Sequence, residues 1–373
     1  MGIVKFLRSK LLNRHRGSDR AAVHADGGES CSGRCGDAAA EAAVKRLEWG
    51  EIERITGRFS EVVGEGGFST VYRGRLPSCG GCSAAAPAAV KVHCGGGERL
   101  SLAFKQELDV LLRLKHENIV RLLGYCDDAD QGAIILEYVS GGTLHERLHG
   151  CGGNNCPTLP WKSRVKIAFQ LARAIEYLHE RCTLHIIHGD IKSSNVLLDG
   201  DSNCKLCDFG SVKMGFSSMI PPPSSSPSSS PYIRRKNIIM GSPGYTDPVY
   251  LRTGIASKKN DIYSFGIMIL ELMTGLEAFR GDKGQVLASM AAHMTKDVDR
   301  MDVCEVTNMV DPRLRGDFDM EEARALIGLA RSCLHESTMV RPTASGMVKM
   351  MKEKVVSISL MNTNSRHKLC NDL

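Results

Sequence analysis

The amino-acid sequence predicts an α+β fold in which an antiparallel β-sheet part with one helix precedes a mainly α-helical part. Strand-forming residues flank a glycine turn at 61–76, and two further strands are predicted at 119–125 and 133–138. One amphipathic helical segment, 101–114, lies between them. After Trp161, apolar residues recur at helical spacing, so the second part is predicted to be helical.

Length and composition fit a protein with a sizeable core. The chain has 373 residues, 42% of them hydrophobic, and a formal charge of +6. This charge is modest for the length, so no nucleic-acid partner is predicted. The most apolar stretch, 262–276, is interrupted by polar residues and is interpreted as a core helix. No transmembrane segment is therefore predicted.

The 14 cysteines are scattered along a chain in which no secretory leader is recognised, and this favours reduced thiols in the cytosol. Two pairs, Cys79/Cys82 and Cys204/Cys207, have the spacing of metal ligands. Because no set of four ligands accompanies them in the sequence, reduced thiols are favoured over a structural zinc site.

Residues 1–46 are predicted to form a basic, largely disordered segment. Apolar and basic residues interleave over 1–20, which suits a helix on an anionic membrane surface. Gly2 fits N-myristoylation, but the pattern requires Ser or Thr where this chain has Phe6. A disordered basic tail and an organelle transit peptide are the alternatives. Residues 17–43, rich in Gly, Ala and Ser, are interpreted as a linker.

Folded structure is predicted from residue 47, where a short helix carries Trp49. The strand arms that follow surround Gly64, Gly66 and Gly67, whose missing side chains let a backbone approach a phosphate closely. Taken alone, this pattern more often marks a plain glycine hairpin.

Two charged residues follow in otherwise apolar surroundings. Lys91 lies in a predicted strand, and Glu107 lies on the helix after it. Taken singly, a lysine in an apolar strand more often extends to solvent than serves a site, and a glutamate on the following helix could equally lie on a solvated face. Residues 136–139 then begin a connector, where an adenine could pair with backbone groups whatever the side chains are.

The densest set of chemically active side chains occupies residues 186–210, a predicted loop, β-hairpin and second loop. Asp190 offers a proton acceptor and Lys192 a cation, while Asn195 and Asp208 offer oxygen ligands for a metal. Phosphoryl transfer to a hydroxyl requires such groups, because the protein mainly positions the reactants and neutralises charge.

In their order along the chain, these motifs resemble those of eukaryotic protein kinases, and among them the plant receptor-like kinases, especially receptor-like cytoplasmic kinases. The matching stretches are GEGGFSTVYRG, AAVKV, FKQELDVL, HGDIKSSNVLLD, CDFG, GSPGYTDPVY, DIYSFGIMILELMTG and VRPT. The resemblance implies a bilobal protein kinase fold for residues 47–356, with an N-lobe at about 47–137 and a C-lobe at about 138–356. A polar tail, 357–373, would follow.

The resemblance also implies an ATP site. Lys91 would hold the α- and β-phosphates and be positioned by an ion pair with Glu107. The implied cofactor-binding residues are Val63, Gly64, Glu65, Gly66, Gly67, Phe68, Ser69, Val71, Lys91, Glu107, Glu137 and Val139. Ser69 stands where the family pattern has its third glycine.

For the transfer step, the resemblance implies that Asp190 accepts the proton of the substrate hydroxyl and that Lys192 stabilises the transferred phosphoryl group. Asn195 and Asp208 would bind two Mg²⁺ ions. Lys192 within DIKSSN is typical of serine/threonine kinases, so Ser and Thr are the expected acceptors in protein substrates.

The implied setting is cytoplasmic signalling, with an upstream receptor kinase as partner and peripheral contact with the plasma membrane through the basic N-terminus. A kinase-like scaffold that binds nucleotide and partner proteins with little turnover is the alternative. A nucleic-acid binder has only the charge of the N-terminus in its support.

Three departures from the family pattern bear on regulation. Gly189 replaces the arginine that normally pairs with a phosphorylated activation loop. A Pro/Ser insertion at 217–237 lengthens the activation segment, as a phosphorylated regulatory tract or as a spacer. Val249 replaces a glutamate that normally pairs with a buried arginine, here Arg341, which then needs another acceptor or must stay solvated. The sequence therefore predicts a less firmly anchored activation segment.

Three other residues near the catalytic motifs have both a structural and a chemical interpretation. Asp261 is expected to brace the backbone of the catalytic loop, with a simple helix cap as the alternative. His188 is expected to pack rather than to act as an acid or base. Cys207 is interpreted as a small packed residue in preference to a reactive thiol.

Overall fold

The structure, a computed structural model, describes residues 44–66, 69–77, 85–93, 98–128, 131–150, 157–217, 219–220, 241–289 and 301–359. Several sequence predictions lie outside these residues. They are the N-terminal segment through residue 43, Gly67, Phe68, the Cys79/Cys82 pair, most of the Pro/Ser insertion and the tail from residue 360.

A six-stranded sheet with one long helix forms the N-terminal part. Its strands are β1 (Lys45–Arg46), β2 (Val62–Glu65), β3 (Ser69–Leu76), β4 (Ala86–His93), β5 (Leu122–Asp128) and β6 (Gln131–Glu137). They follow the order β1-β5-β6-β4-β3-β2, antiparallel except for the β1/β5 pair. A short helix, α1 (Trp49–Ile55), and the longer α2 (Glu98–Leu111) complete this part.

The predicted strand 119–125 begins later in the structure, at Leu122. Val120 donates its backbone N–H to the carbonyl of Leu206 at 3.0 Å, and Ile119 forms an isolated bridge to the same residue. These two residues have strand character, but they pair with Leu206, in the hairpin predicted within residues 186–210, rather than with the sheet. The local sequence pattern is the same for either partner, so only the tertiary arrangement could separate them.

Alternation along β4 aims Lys91 away from the small core of the sheet. Ala88 and Val90 are fully buried and pack with Ile52 and Ile135. Because successive side chains of a strand point to opposite faces, Lys91 faces the side on which α2 lies. The alternation of the strand thus turns Lys91 toward α2.

Helices dominate the C-terminal part. They are α3 (Leu144–His149), α4 (Trp161–Glu176), α5 (Pro248–Thr253), α6 (Lys258–Thr274), α7 (Val303–Met309), α8 (Met320–Cys333) and α9 (Ala344–Lys354). The predicted helix 161–181 ends its α-helical portion at Glu176 and continues as a π-helical turn, Tyr177–Arg181. Helix α6 is buried along most of its length, as expected of a core helix. None of the helices in the described residues is long and apolar enough to cross a membrane.

Short antiparallel strand pairs frame the catalytic stretch. β7 (His185–Ile187) pairs with β10 (Lys213–Gly215), and β8 (Val196–Leu198) pairs with β9 (Cys204–Leu206) as the predicted hairpin. Three further pieces, β11 (Met219–Ile220), β12 (Ala256–Ser257) and the β13/β14 pair (Phe279–Arg280, Gln285–Val286), lie later in the chain. The loops between β7 and β8 and between β9 and β10 lie next to each other, and Cys207 donates its backbone N–H to the Asn195 carbonyl at 2.9 Å.

Candidate active site

Lys91 reaches from β4 to Glu107 on α2. Its Nζ lies 2.7 Å from Glu107 Oε1 and 2.9 Å from Oε2. The side chain of Glu107 is only 2% exposed and that of Lys91 is 11% exposed. The ion pair that the family resemblance implied is therefore formed, and it fixes the amine at the border of the interior.

Asp208 contacts the same amine from the C-terminal part, with Oδ1 2.9 Å from Lys91 Nζ. Its backbone has a φ of +62°, a left-handed conformation that is uncommon for residues other than glycine and that often marks functional sites. The carboxylate keeps 47% of its side-chain surface exposed. One oxygen is thus used by Lys91 while the group still faces solvent.

The opposite charges of Lys91 and its two carboxylate partners stabilise the ionised form of Lys91 and of Asp208. Burial acts to lower the pKa of Lys91, but the nearby charges of Glu107 and Asp208 outweigh it and raise that pKa. Burial acts to raise the pKa of Asp208, but the charge of Lys91 outweighs it and lowers that pKa. Lys91 and Asp208 are therefore both charged at neutral pH, ready to meet a phosphate and a cation.

The catalytic loop gathers Asp190, Lys192 and Asn195 around Ser242. Lys192 Nζ lies 2.8 Å from Asp190 Oδ2. The Ser242 hydroxyl donates to Asp190 Oδ1 at 2.7 Å and accepts from Lys192 at 2.8 Å. Asn195 Nδ2 donates to the backbone oxygen of Asp190 at 2.8 Å. Sequence reasoning missed Ser242, although its motif, GSPGY, stood out.

Asp261 braces this loop, as predicted. Its Oδ2 accepts the backbone N–H of His188 at 2.8 Å, and its Oδ1 accepts that of Gly189 at 2.9 Å. The His179 ring, which the sequence did not single out, lies 2.8 Å from Oδ2. All of these contacts are buried or nearly so, so the acid at the first turn of α6 holds the loop that carries Asp190.

His188 and Gly189 have structural roles here. His188 is fully buried, stacks edge-on against Phe209 at 4.9 Å and lies within hydrogen-bond distance of the Cys207 carbonyl. This is the packing role expected for it. Gly189 has a φ of +79°, and a Cβ there would come within 2.9 Å of the Ser211 carbonyl oxygen. Any other residue would be strained in this backbone conformation.

The glycine turn joins β2 to β3, and β3 pairs with the strand that carries Lys91. Gly66 donates its N–H to the Ser69 carbonyl at 2.8 Å, which closes the hairpin, and Val71 stands opposite Lys91 on the neighbouring strand. Val63 and Glu65 are exposed on β2, and Gly64 pairs with Val71. Of the residues proposed for this turn, Gly67 and Phe68 lie outside the described part of the chain.

The connector between the two parts begins at Glu137, the last residue of β6. Its carboxylate accepts from the backbone N–H of Arg121 and lies 2.8 Å from Lys205 Nζ. Because these contacts occupy the side chain, an adenine here would meet backbone atoms, as the sequence analysis expected. Val139 follows, half-buried, on the way to α3.

The donor atoms fit a magnesium nucleotide. Asp208 offers an exposed carboxylate, and Asn195 uses its amide nitrogen on Asp190, so its oxygen is the atom that could face a metal. Carboxylate and amide oxygens are ligands that Mg²⁺ prefers. Lys91 adds a positive charge beside them. The residues present therefore match the ATP and Mg²⁺ that the resemblance implied.

Cys204 and Cys207 are packed against other residues, and neither forms a disulfide. Cys204 is buried and Cys207 is partly buried, and neither belongs to a cluster of metal-ligating groups in the described residues. Burial raises the pKa of each thiol to about 12. Because only the thiolate is a good nucleophile or ligand, this supports the packed interpretation of Cys207.

Arg341 is paired with Asp247, which replaces the glutamate that is missing at position 249. It forms a two-pronged ion pair with Asp247, with distances of 2.6 and 3.0 Å, and both side chains are sealed from solvent. Asn260 also donates to Asp247, at 2.7 Å. The expectation of a weakly anchored activation segment therefore loses its basis, since an acid two residues before Val249 does the anchoring. The motif TDPV contained that acid.

Comparisons with known proteins agree with this geometry. A family model described as "Protein kinase domain" matches residues 58–352. A probable receptor-like protein kinase of Arabidopsis thaliana is 45% identical over 84% of this chain and 89% of its own length. Salt tolerance receptor-like cytoplasmic kinase 1 of Oryza sativa subsp. japonica is 45% identical over 92% of this chain and 89% of its own length. A probable leucine-rich-repeat receptor-like serine/threonine-protein kinase of Arabidopsis thaliana is 34% identical over 83% of this chain but only 33% of its own length.

Proposed function

Because this chain belongs to the protein kinase family, we propose that it is an active serine/threonine kinase that transfers the γ-phosphoryl group of ATP to hydroxyls of protein substrates. One observation carries the proposal. The amine of Lys91 lies 2.7 Å from Glu107 and 2.9 Å from Asp208, so the sheet and the helical part present one charged cluster. Such a cluster suits the phosphates of a nucleotide, and only an assay of phosphoryl transfer separates an enzyme from a nucleotide-binding scaffold.

The residues divide the work as follows. Bound Mg²⁺ and ATP supply the transferable phosphoryl group and the metal charge that offsets its negative oxygens. Lys91 holds phosphate charge, and the backbone of the glycine turn covers the phosphates. Asn195 and Asp208 offer oxygen ligands on the other side. Each of these groups is preorganised by a protein contact, which is the main way in which proteins accelerate such transfers.

Asp190 and Lys192 serve the acceptor side. Asp190 accepts the proton of the incoming hydroxyl, and Lys192, 2.8 Å away, offsets the charge that develops on the transferred group. Ser242 bridges the two with its own hydroxyl. Lys192 is also the reason for proposing Ser and Thr as acceptors, and several relatives are named serine/threonine-protein kinases.

The domain limits and the setting are further parts of the proposal. The kinase domain would comprise residues 47–356, with the lobes meeting near 137–138, and the cofactors would bind between them. The names of the relatives support a role in signalling downstream of a receptor. The name of the rice relative supports a cytoplasmic location, whereas peripheral membrane contact through the basic N-terminus is proposed on charge alone.

The test compares wild type, Asp190→Asn and a control variant, Asp201→Asn, which changes an exposed acid in the turn between β8 and β9. Each full-length protein is incubated with Mg²⁺, γ-labelled ATP and a general protein substrate, and the labelled amino acids are then separated. We expect label on Ser and Thr with wild type and the control, and a near loss of label with Asp190→Asn.

Nucleotide binding is measured on the same samples as a thermal shift with Mg²⁺ and ATP. A shift in wild type and Asp190→Asn alike, with equal background labelling in both, would show the scaffold instead of the kinase. Label on Tyr would overturn the assignment of the acceptor but not that of the enzyme.

A further inference from the structure

A cluster of metal-ligating side chains lies beside the catalytic loop and has no part in the proposed phosphoryl transfer. His145 and His149 are one turn apart on α3, and Glu271 is on α6. One ligand atom from each lies within 4.8 Å of those from the other two, and the described residues contain no second such group of three. Side chains four residues apart on a helix share a face, so α3 presents both rings to α6.

Glu271 is a buried carboxylate that is held by one histidine and two hydroxyl groups. It is 1% exposed, and the ion-pair partner given by the structure is the His149 ring, 2.8 Å from Oε1. Ser193 donates to Oε1 at 2.9 Å, and Tyr245 donates to Oε2 at 2.6 Å. Because two of these contacts come from neutral hydroxyl groups, a metal cation bound beside the carboxylate would add charge compensation that a buried acid lacks in hydroxyl contacts alone.

A cavity of about 250 Å³ is lined by two of the three residues and by the two hydroxyl groups that contact Glu271. His145, Glu271, Ser193 and Tyr245 all contribute to its wall. The space is large enough for ordered water, so it can supply a fourth ligand beside three protein ligands.

We propose that His145, His149 and Glu271 bind a Zn²⁺ ion, with a water molecule from the cavity as the fourth ligand. Two imidazoles and one carboxylate form a donor set of the zinc type, whereas Mg²⁺ prefers oxygen ligands alone. The cluster would thus select a different metal from the one proposed at Asn195 and Asp208. The proposal stands apart from catalysis and holds whether or not the chain transfers phosphate.

Binding requires only a small rearrangement around Glu271. Binding of the metal displaces the proton that Nε2 of His149 shares with the carboxylate, and the ring then carries its one proton on Nδ1. Ser193 and Tyr245 continue to donate to Glu271, as outer partners do for metal-ligating carboxylates.

A metal at this position would tie α3 and α6 to two segments that carry catalytic groups. Ser193 directly follows Lys192, and Tyr245 lies three residues after Ser242. We therefore expect zinc to raise the melting temperature of the protein and to hold the segments around Ser193 and Tyr245 in one conformation.

The test uses the full chain, stripped of metal by a chelator and titrated with Co²⁺, a spectroscopic stand-in for Zn²⁺. The variants are His145→Ala, His149→Gln and a control, His335→Ala, which removes an exposed histidine far along the chain. Because the cysteines also bind these metals, the visible bands of Co²⁺ are recorded together with the near-ultraviolet thiolate-to-cobalt band. Circular dichroism checks that each variant is folded.

In wild type and His335→Ala we expect one Co²⁺ per chain with visible bands, no thiolate band and displacement by Zn²⁺. In His145→Ala the affinity should fall by about 100-fold or more, since even the loss of an outer partner costs 10 to 100-fold. Equal affinity in folded His145→Ala and wild type, or a spectrum that shows only thiolate ligation, would overturn the site. His149→Gln gives a second comparison if His145→Ala fails to fold. Asp190→Asn should bind Co²⁺ as wild type does, so the result does not depend on phosphoryl transfer.

Discussion

Asp208 and Asp247 both accept hydrogen bonds from a long cationic side chain, but their surroundings differ. Asp208 meets Lys91 with 47% of its side chain exposed, and Asp247 meets Arg341 with none of it exposed. The first pair borders the gap between the sheet and the helical part, so its charges can act on a ligand. The second pair is sealed, so its charges can act only on the fold. Ion pairs of similar length thus serve different purposes according to their access to solvent.

A second sealed pair supports this distinction. Arg164 on α4 lies 2.7 Å from Asp311, and both side chains are buried. The same guanidinium donates to the carbonyls of Leu159 and Leu272, which joins α4 to the end of α6. All three guanidinium nitrogens of Arg164 thus bond to the protein. In the Lys91 cluster, by contrast, the carboxylate of Asp208 stays exposed to solvent.

The largest effect on stability is expected when the sealed cation is removed. Arg341→Met leaves the buried carboxylate of Asp247 without its partner, so the free energy of unfolding should fall by about 3 to 5 kcal/mol. The measurement is urea unfolding at neutral pH. Arg331→Met, the same substitution at an exposed position on α8, is the control and should lie close to wild type. A loss below about 1 kcal/mol in Arg341→Met would show that the pair does not anchor the activation segment.

Asp208→Asn should separate activity from stability. Asparagine tolerates the left-handed backbone of this position but removes the charge, so kcat/KM should fall by about 100-fold or more. The free energy of unfolding should change by less than about 1 kcal/mol, because the carboxylate is half exposed. Kinase assays and urea unfolding on one preparation check both values. A stability loss as large as that of Arg341→Met would remove the distinction between the two pairs.

The contribution of Asp208 should also depend on pH in a defined direction. Its pKa is lowered in the folded protein from the ordinary value of 3.8, because the charge of Lys91 outweighs the effect of burial. A group of this kind stabilises the fold above its unfolded pKa and loses that contribution as the pH falls through its folded pKa. The small stability difference between wild type and Asp208→Asn should therefore shrink below pH 3.8. Unfolding curves at neutral pH and in acid measure it, and a difference that grows in acid would reverse the assignment.

The smallest effect is expected at Val249. If the activation segment lacked an anchor, Val249→Glu would restore one and stabilise the protein. Because Arg341 is already paired with Asp247, we expect the free energy of unfolding to change by no more than about 0.5 kcal/mol. Val249→Gln is a matched control without the charge. A clear gain from the Glu variant alone would mean that Asp247 does not satisfy Arg341 fully.

Local spacing was sufficient to predict much of this molecule. Asp190, Lys192 and Asn195 share one loop, so their convergence follows from a few residues of chain. The hairpin after them and the core helix α6 follow from turn residues and apolar patterns. Lys91 and Glu107 were paired through the family resemblance rather than through any local signal, since each alone also fitted a solvated surface.

Other features depended on segments that meet only in the folded chain. Asp247 pairs with Arg341 from 94 residues away, and Glu271 meets His149 from 122 residues away. Ser242 enters the catalytic loop from a distance of 52 residues.

The sequence by itself determined the division into a sheet part and a helical part, and the set of acid, cation and amide side chains in residues 186–210, because these depend on neighbouring residues. The tertiary structure decided which acid satisfies Arg341, which face of β4 carries Lys91 toward Asp208, and which histidines meet Glu271. These contacts depend on burial. A buried charge without a partner is costly, so the folded chain pairs each buried charge with a residue that local sequence patterns cannot identify.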